Sequence, residues 1–321
     1  MKKLILVTGG SGFVGKGFIQ YLLDYTDYHI ISLDKNSQSL KFQNNRRVSF
    51  ICQDLTTEAN QKTISKLKDV THIFHLAGST NVDVSVKDPV GCVLNNVVGT
   101  ANILNYARLH CNQLKLFLFL STAEVFGSAT SGKSFKEGDR LNPLNPYSAS
   151  KASAESLCSS FKNTYDLPII VCNTSNIYGP YHLANRYISV IINKILKEER
   201  LSVYCTRPEH GIPSRQYLYS HDLFSAFLFL MSNGITGEHY NIASEKSVSN
   251  LDLAFKISKI MSKSLNYQLI FSQDSFCRHE HSHLLSTNRI RNLGWAETFT
   301  LKDGLIQTIN WHMSNHTQDN V

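Results

Sequence analysis

The chain has 321 residues, 42% of them hydrophobic, which is enough apolar material for one large core or two smaller ones and excludes disorder. Its seven cysteines, an odd number at irregular spacing without a CxxC pair, exclude a disulfide framework and argue against a zinc site. The formal net charge of +7 permits an anionic partner, but Lys and Arg are interleaved with acids, so it reads as a solvated surface and no nucleic acid is expected.

From the N-terminus, Leu4 to Val7 is too short for a signal peptide because Gly9 and Gly10 interrupt it, and it reads as a strand. Apolar runs follow at Ile30 to Leu33, Val48 to Ile51, Ile73 to Leu76, Leu116 to Leu120 and Ile169 to Val171. Segments of helical period lie between them, among them Gly12 to Leu23, Pro89 to Arg108 and Tyr147 to Tyr165. Such alternation predicts an α/β fold with a doubly wound parallel sheet. After about residue 172 the pattern loosens, with helices at Ile188 to Lys197, at Leu251 to Ser262 behind a Ser249 and Asp252 capping pair, and at Leu301 to Trp311. This predicts a sheet domain over 1–172, completed by part of 215–243, and a smaller C-terminal substrate-binding domain over 173–321. The apolar runs Leu116 to Leu120 and Phe224 to Met231 fall far short of the roughly 18 residues that cross a bilayer, so a soluble, cytoplasmic protein with no membrane partner is expected.

Directly after the first strand, Gly9, Gly12 and Gly15 stand three apart at the mouth of a helix, with Phe13 and Val14 between the last two. That arrangement gives a tight turn, close approach of backbone to a pyrophosphate, and helix amides aimed at phosphate. The second strand ends at Asp34, whose carboxylate can accept from ribose hydroxyls and repels a 2′-phosphate, so the cofactor expected is NAD rather than NADP, with Lys35 softening the discrimination. Asp54, after the third strand, reads either as an adenine contact or as a strand-end cap.

Tyr147 and Lys151 are spaced four apart and so share a helix face. A phenol is a poor base at neutral pH, but an adjacent ammonium and a cationic nicotinamide stabilise its phenolate and let it take an alcohol proton. That pair points to hydride chemistry on a hydroxyl.

These stretches resemble the extended short-chain dehydrogenase/reductases, within the NAD-dependent epimerase/dehydratase family and closest to its dTDP-glucose 4,6-dehydratase-like branch. The resemblance covers nearly the whole chain. It is carried by Thr8 to Gly15, His75 to Gly78, Asn96 with Gly99-Thr100, Ser121 to Gly127, Pro146 to Lys151, Asn176 through His182, Arg215, and Leu293-Gly294-Trp295. It implies a UDP- or dTDP-linked hexose as partner and a homodimer built through helices such as Pro89 to Arg108 and Tyr147 to Tyr165. By the same resemblance Leu55, Leu76, Ala77 and Gly78 line the cofactor, and Asn96 is a structural relay near the nicotinamide. Thr122 binds the sugar 4-hydroxyl, Tyr147 deprotonates it, and Lys151 holds the nicotinamide ribose. Thr80, Ala123, Asn176, Arg186 and Arg215 are implied as substrate contacts, the last three at the nucleotide diphosphate.

Two departures from the branch stand out. Its dehydratases resemble Ser-Thr-Asp-Glu at the end of the fifth strand, where the aspartate protonates the departing 6-hydroxyl and the glutamate takes the C5 proton; here the pair is Ala123 and Glu124. The basic diphosphate-binding stretch near the C-terminus appears as Arg278 to His283, whose histidines read as an exposed polar loop rather than a metal site. The reading that follows is transient oxidation at C4, proton chemistry at C5 through Glu124, and hydride return to C6 to give a 4-keto-6-deoxy sugar, with a 5,6-unsaturated substrate as one route around the absent acid. A nucleotide-sugar 4-epimerase is the alternative, and a catalytically silent NAD sensor or binding protein is the alternative of another class.

Overall fold

The structure, a computed structural model, describes residues 3–36, 42, 44–59, 61–128, 133–182, 184–205, 211–271 and 284–316. Its strands are β1 (Leu4–Thr8), β2 (His29–Asp34), β3 (Val48–Cys52), β4 (His72–His75), β5 (Leu116–Thr122), β6 (Ile169–Thr174), β7 (Asn176–Tyr178), β8 (Leu201–Cys205), β9 (Ser214–Tyr219), β10 (His239–Ile242), β11 (Ser247–Ser249) and β12 (Tyr267–Phe271). Among the described residues, seven of these form one sheet in the order β3-β2-β1-β4-β5-β6-β10, with every neighbouring pair parallel. The order reverses between β1 and β4, and this switch point opens a crevice beyond the strand ends at Thr8 and His75.

Alternation along the strands explains why both faces are covered. Ile5, Val7 and Leu118 point to a core with Phe18 and Leu22 of the helix Phe13–Tyr25 and Phe224 and Phe227 of the helix Ser220–Asn233. Leu6, Phe117 and Phe119 point the other way, to Ile103 and Leu104 of the helix Gly99–His110 and to Ala154 and Cys158 of the helix Pro146–Tyr165. Strands buried on both sides read as continuous apolar runs, which is how they stand in the sequence.

Beyond β6 the chain leaves the large sheet and returns to it at β10. β7, β9 and β11 form a three-stranded sheet and β8 pairs with β12. A separate apolar cluster, including Ile191, Ile192, Leu253, Ile257 and Leu305, holds the helices Tyr187–Leu196, Asn250–Met261 and Leu301–His316 beside these strands. As expected, Ser249 caps the second of these, its Oγ accepting from Asp252 N–H at 3.0 Å. Among the described residues, no helix is long and apolar enough to cross a membrane.

The segment from Pro89 to His110 is not one uniform helix. Pro89–Val93 and Gly99–His110 are α-helical, but Leu94–Val98 between them makes a wider π turn. The widened turn carries Asn96, buried against Ser79: its Oδ1 accepts from Ser79 N–H at 2.7 Å, and its Nδ2 donates to Ser79 O at 2.9 Å and to Ser150 Oγ at 2.8 Å.

Candidate active site

Two cavities meet at the switch point and share Leu76, Ala77 and Gly78. The first, about 380 Å³, is lined by Gly9, Ser11, Gly12, Asp34, Lys35, Asp54 and Leu55. Gly9 adopts φ +71°, and a Cβ there would lie 2.8 Å from the Ala77 backbone; a Cβ on Gly15 would lie 2.1 Å from Gly9 O. Side chains are therefore excluded where the first turn of the helix Phe13–Tyr25 must approach β4. Asp34 organises the far side, with Oδ2 accepting Ser11 N–H at 3.0 Å and Oδ1 accepting Asn36 N–H at 2.9 Å, each oxygen retaining capacity for another donor. Lys35 donates to Asn95 Oδ1 at 3.0 Å. Asp54 accepts Thr56 N–H at 2.8 Å, an interaction that holds its carboxyl below the usual range, so it closes the turn after β3 while still lining the cavity. A glycine cradle at a helix N-terminus beside a strand-end carboxylate fits a dinucleotide.

Beneath the shared wall runs a buried chain of hydrogen bonds. Leu76 and Ala77 donate their N–H groups to Thr8 Oγ1 at 3.1 and 3.2 Å, Thr8 Oγ1 lies 2.7 Å from His75 Nδ1, and His75 Nε2 lies 3.0 Å from Thr100 Oγ1. Thr100 gives its own hydrogen to Asn96 O at 2.6 Å, so it must accept from Nε2–H, and His75 is the neutral tautomer with Nδ1 accepting from Thr8. Burial pulls its pKa down to about 3.

The second cavity, about 320 Å³, receives Thr80, Thr122, Glu124, Tyr147, Lys151, Asn176 and Arg186 together with Phe13 and Val14. β5 delivers Thr122 and Glu124: Thr122 Oγ1 accepts Glu124 N–H at 3.3 Å, capping a single 3₁₀ turn from Ala123 to Phe126. The helix Pro146–Tyr165 delivers Tyr147 and Lys151 one turn apart. Burial raises the Tyr147 phenol above its usual pKa and the Glu124 carboxylate adds to this, opposed by a hydrogen bond with Thr122 and by Arg186. Lys151 donates to Leu120 O at 2.6 Å and lies over the Phe119 ring; burial brings its ammonium down to about 8, opposed by Glu155. Arg186 reaches across to Thr80 Oγ1 at 2.7 Å.

Two expected contacts fall elsewhere. Ala123 does not line the cavity; its methyl is buried in the apolar cluster of Val125, Phe126, Ala152, Ala243 and Leu285. Arg215 lies two residues before the cavity-lining Tyr217 on β9, so strand alternation puts it on the same face but farther out, outside the cavity wall. The stretch from Arg278 to His283 lies outside the described residues; among those described, no cluster of His, Cys, Asp or Glu could hold a metal ion.

Sequence reasoning missed several site groups. His182 packs at a tilt against the Phe13 ring and lines the cavity, its pKa lowered by burial to about 3. Glu155 is buried behind Lys151, accepting from Ser121 Oγ and from Asn173 Nδ2, and burial raises it to about 7. Asn145 donates to Glu124. The signals were present: Glu155 continues the four-residue spacing of Tyr147 and Lys151, and Asn145-Pro146 is a helix-start pair.

A family model described as the NAD dependent epimerase/dehydratase family matches residues 5–243. The chain belongs to that family. It is similar to a dTDP-glucose 4,6-dehydratase of Escherichia coli, 32% identical, with 97% of this chain and 94% of the relative covered. Among solved structures it resembles dTDP-glucose 4,6-dehydratase from Bacillus anthracis in complex with NAD, at 27% identity and a TM-score of 0.85, covering 98% of each chain. It also resembles UDP-glucuronic acid 4-epimerase from Bacillus cereus in complex with UDP-glucuronic acid and NAD, at 26% identity and a TM-score of 0.86, covering 97% of this chain and 99% of the other.

Proposed function

We propose that this chain is an NAD-dependent nucleotide-sugar dehydratase that converts a UDP- or dTDP-linked hexose to its 4-keto-6-deoxy derivative. The observation carrying this reading is that Glu124 opens into the same cavity as Thr122, Tyr147 and Lys151. Oxidation at C4 needs a proton acceptor for the 4-hydroxyl, which Tyr147 supplies; a second potential base, the Glu124 carboxylate close enough to act on the Tyr147 phenol, suits the breaking of a neighbouring C–H.

Gly9, Gly12, Gly15 and Asp34 hold the dinucleotide, and Lys151 engages its nicotinamide ribose. Bound NAD supplies a reversible hydride acceptor and a positive charge beside the phenol. Thr122 orients the 4-hydroxyl and Tyr147 takes its proton. The ketone at C4 then acidifies C5–H, and Glu124 removes that proton. Asn176 and Arg186 bind the nucleotide diphosphate end, with Arg215 farther out on the same face, and Thr80, hydrogen-bonded to Arg186, contacts the substrate.

Ala123 leaves the 6-hydroxyl without the acid that the resembling dehydratases carry, and losing a general acid costs ~10² to 10⁴ in rate, roughly 3 to 5 kcal/mol. Glu124 offsets this by passing the C5 proton to the leaving oxygen: the C6–O bond breaks, water departs and the C5–C6 double bond forms. The hydride taken from C4 then returns to C6 and a solvent proton is delivered to C5 through Glu124, which gives the 4-keto-6-deoxy sugar. A substrate already unsaturated at C5 and C6 bypasses the elimination. The same absent acid favours one second reading, a 4-epimerase, which never expels the 6-hydroxyl. Exposed Val90, Val93 and Leu94, outward on the segment after Pro89, support assembly as a homodimer through that segment.

Incubation with a panel of UDP- and dTDP-hexoses, including a 5,6-unsaturated one, tests the reading by mass spectrometry. Products lighter by one water from a saturated hexose, or faster turnover of the unsaturated one, support it; isomers of constant mass from saturated hexoses alone support the epimerase.

A further inference from the structure

Asn145 uses both ends of its side chain. Its Oδ1 accepts Ser148 N–H at 2.8 Å, closing the N-terminus of the helix that carries Tyr147 and Lys151, and Ser148 Oγ accepts Asn145 N–H at 3.1 Å in return. Its Nδ2 donates to Glu124 Oε2 at 3.0 Å. The cap accounts for an oxygen at this position, which serine, threonine or aspartate would supply equally. It does not account for an amide. Asparagine is the cap residue whose planar group also offers N–H donors, and one of these is spent on the carboxylate in the cavity.

The consequence for Glu124 is chemical. Its backbone is tied to Thr122 and one carboxylate oxygen is tied to the Tyr147 helix, so neither the position nor the rotation of the carboxylate is left to chance. An amide N–H does not release its proton at any working pH, and an oxygen already accepting from it is the poorer site for a second proton. We propose that Asn145 is a positioning residue that fixes Oε2 as an acceptor, so that Oε1 is the one atom that takes and returns the substrate proton. This rests on the reading of Glu124 as the C5 base. On that reading the C5–H bond breaks, its proton bonds to Oε1 and its electron pair enters the C4 carbonyl. In elimination the proton leaves Oε1 for the C6 oxygen, the C4 carbonyl re-forms, and the pair closes the C5–C6 double bond as water departs. The helix N-terminus adds positive potential on the Oε2 side. The other titratable or charged groups facing this cavity are Tyr147 and Lys151 on the helix, His182, Arg186 and Tyr187 after β7, and Tyr217 on β9.

Two variants separate the cap from the clamp, each assayed as the full NAD-loaded chain with dTDP-glucose, or with UDP-glucose if that is the better substrate. Asn145→Asp keeps a good cap but sets a second carboxylate against Glu124, and should move the acid limb of the kcat profile up by about one pH unit or more. Asn145→Ser keeps an acceptor but loses the donor, and should slow C5 exchange in heavy water about tenfold at an unchanged KM and thermal midpoint. Unaltered pH profiles and C5 exchange in both, with exchange abolished in Glu124→Gln, would overturn the proposal while leaving Glu124 as the base. Loss of exchange only in step with thermal stability would also overturn it, reducing Asn145 to a helix cap. Normal exchange in Glu124→Gln would instead remove the underlying reading.

Discussion

Thr8 Oγ1 and His75 Nδ1, on neighbouring strands, lie 2.7 Å apart in a buried chain that anchors the Leu76-Ala77 wall of both cavities. The chain works only with neutral imidazole, because Nδ1 must accept. Burial holds the folded pKa at about 3 against an ordinary 6.5, so its contribution to stability is complete above pH 6.5 and is lost as pH falls toward 3. Across that window stability should fall with a slope of one proton per pH unit. Urea unfolding at stepped pH checks this: His75→Gln should flatten the slope by one proton, and an unchanged slope would contradict it.

Tyr147 should be indispensable for oxidation at C4, since its phenol is hydrogen-bonded with Thr122 and lies one helical turn from Lys151 in the cavity. Tyr147→Phe is expected to lower kcat by ~10² to 10⁴ with sugar binding retained. Steady-state kinetics alongside equilibrium binding of the nucleotide sugar measures both.

The basic limb of the pH profile should report Lys151. Its ammonium is held near 8 by burial, and the charge of Glu155, ionised above about 7, keeps it from falling further. Activity should therefore decline above about pH 8, and Glu155→Gln should shift that decline to lower pH. A shift to higher pH, or none, would show that Glu155 does not act on Lys151.

Asp34 should set the choice of cofactor. With Lys35 turned to Asn95, the Asp34 carboxylate lines the crevice proposed to hold the dinucleotide, where it would oppose a 2′-phosphate. Asp34→Ala should weaken NAD by about tenfold or more, roughly the worth of one charged hydrogen bond, and narrow the gap to NADP in equilibrium binding.

Much of this was legible in the sequence because it is local. Strands such as Ile30 to Leu33 are buried on both faces, so their apolar runs stand out, and the glycine spacing and the Tyr147-Lys151 pair lie within single turns. What stayed hidden depends on contacts between distant segments. The π turn at Asn96 exists because that side chain meets Ser79, 17 residues earlier. Glu155 looks like an ordinary helix-surface acid until Ser121 and Asn173 are seen above it. The short strands β7, β8, β9, β11 and β12 are partly polar and pair outside the main sheet, so no periodicity announced them. Ala123 was readable as a missing acid, but not as a methyl packed away from the cavity among Ala243 and Leu285.

The claim that Glu124 performs proton chemistry at C5 is tested most directly by turnover of dTDP- or UDP-hexose in heavy water, with the product's hydrogens assigned by NMR. The account expects a 4-keto-6-deoxy sugar bearing solvent deuterium at C5, with both the label and the product lost in Glu124→Gln. Interconversion of C4 epimers with no deuterium at C5, undiminished in Glu124→Gln, would contradict it.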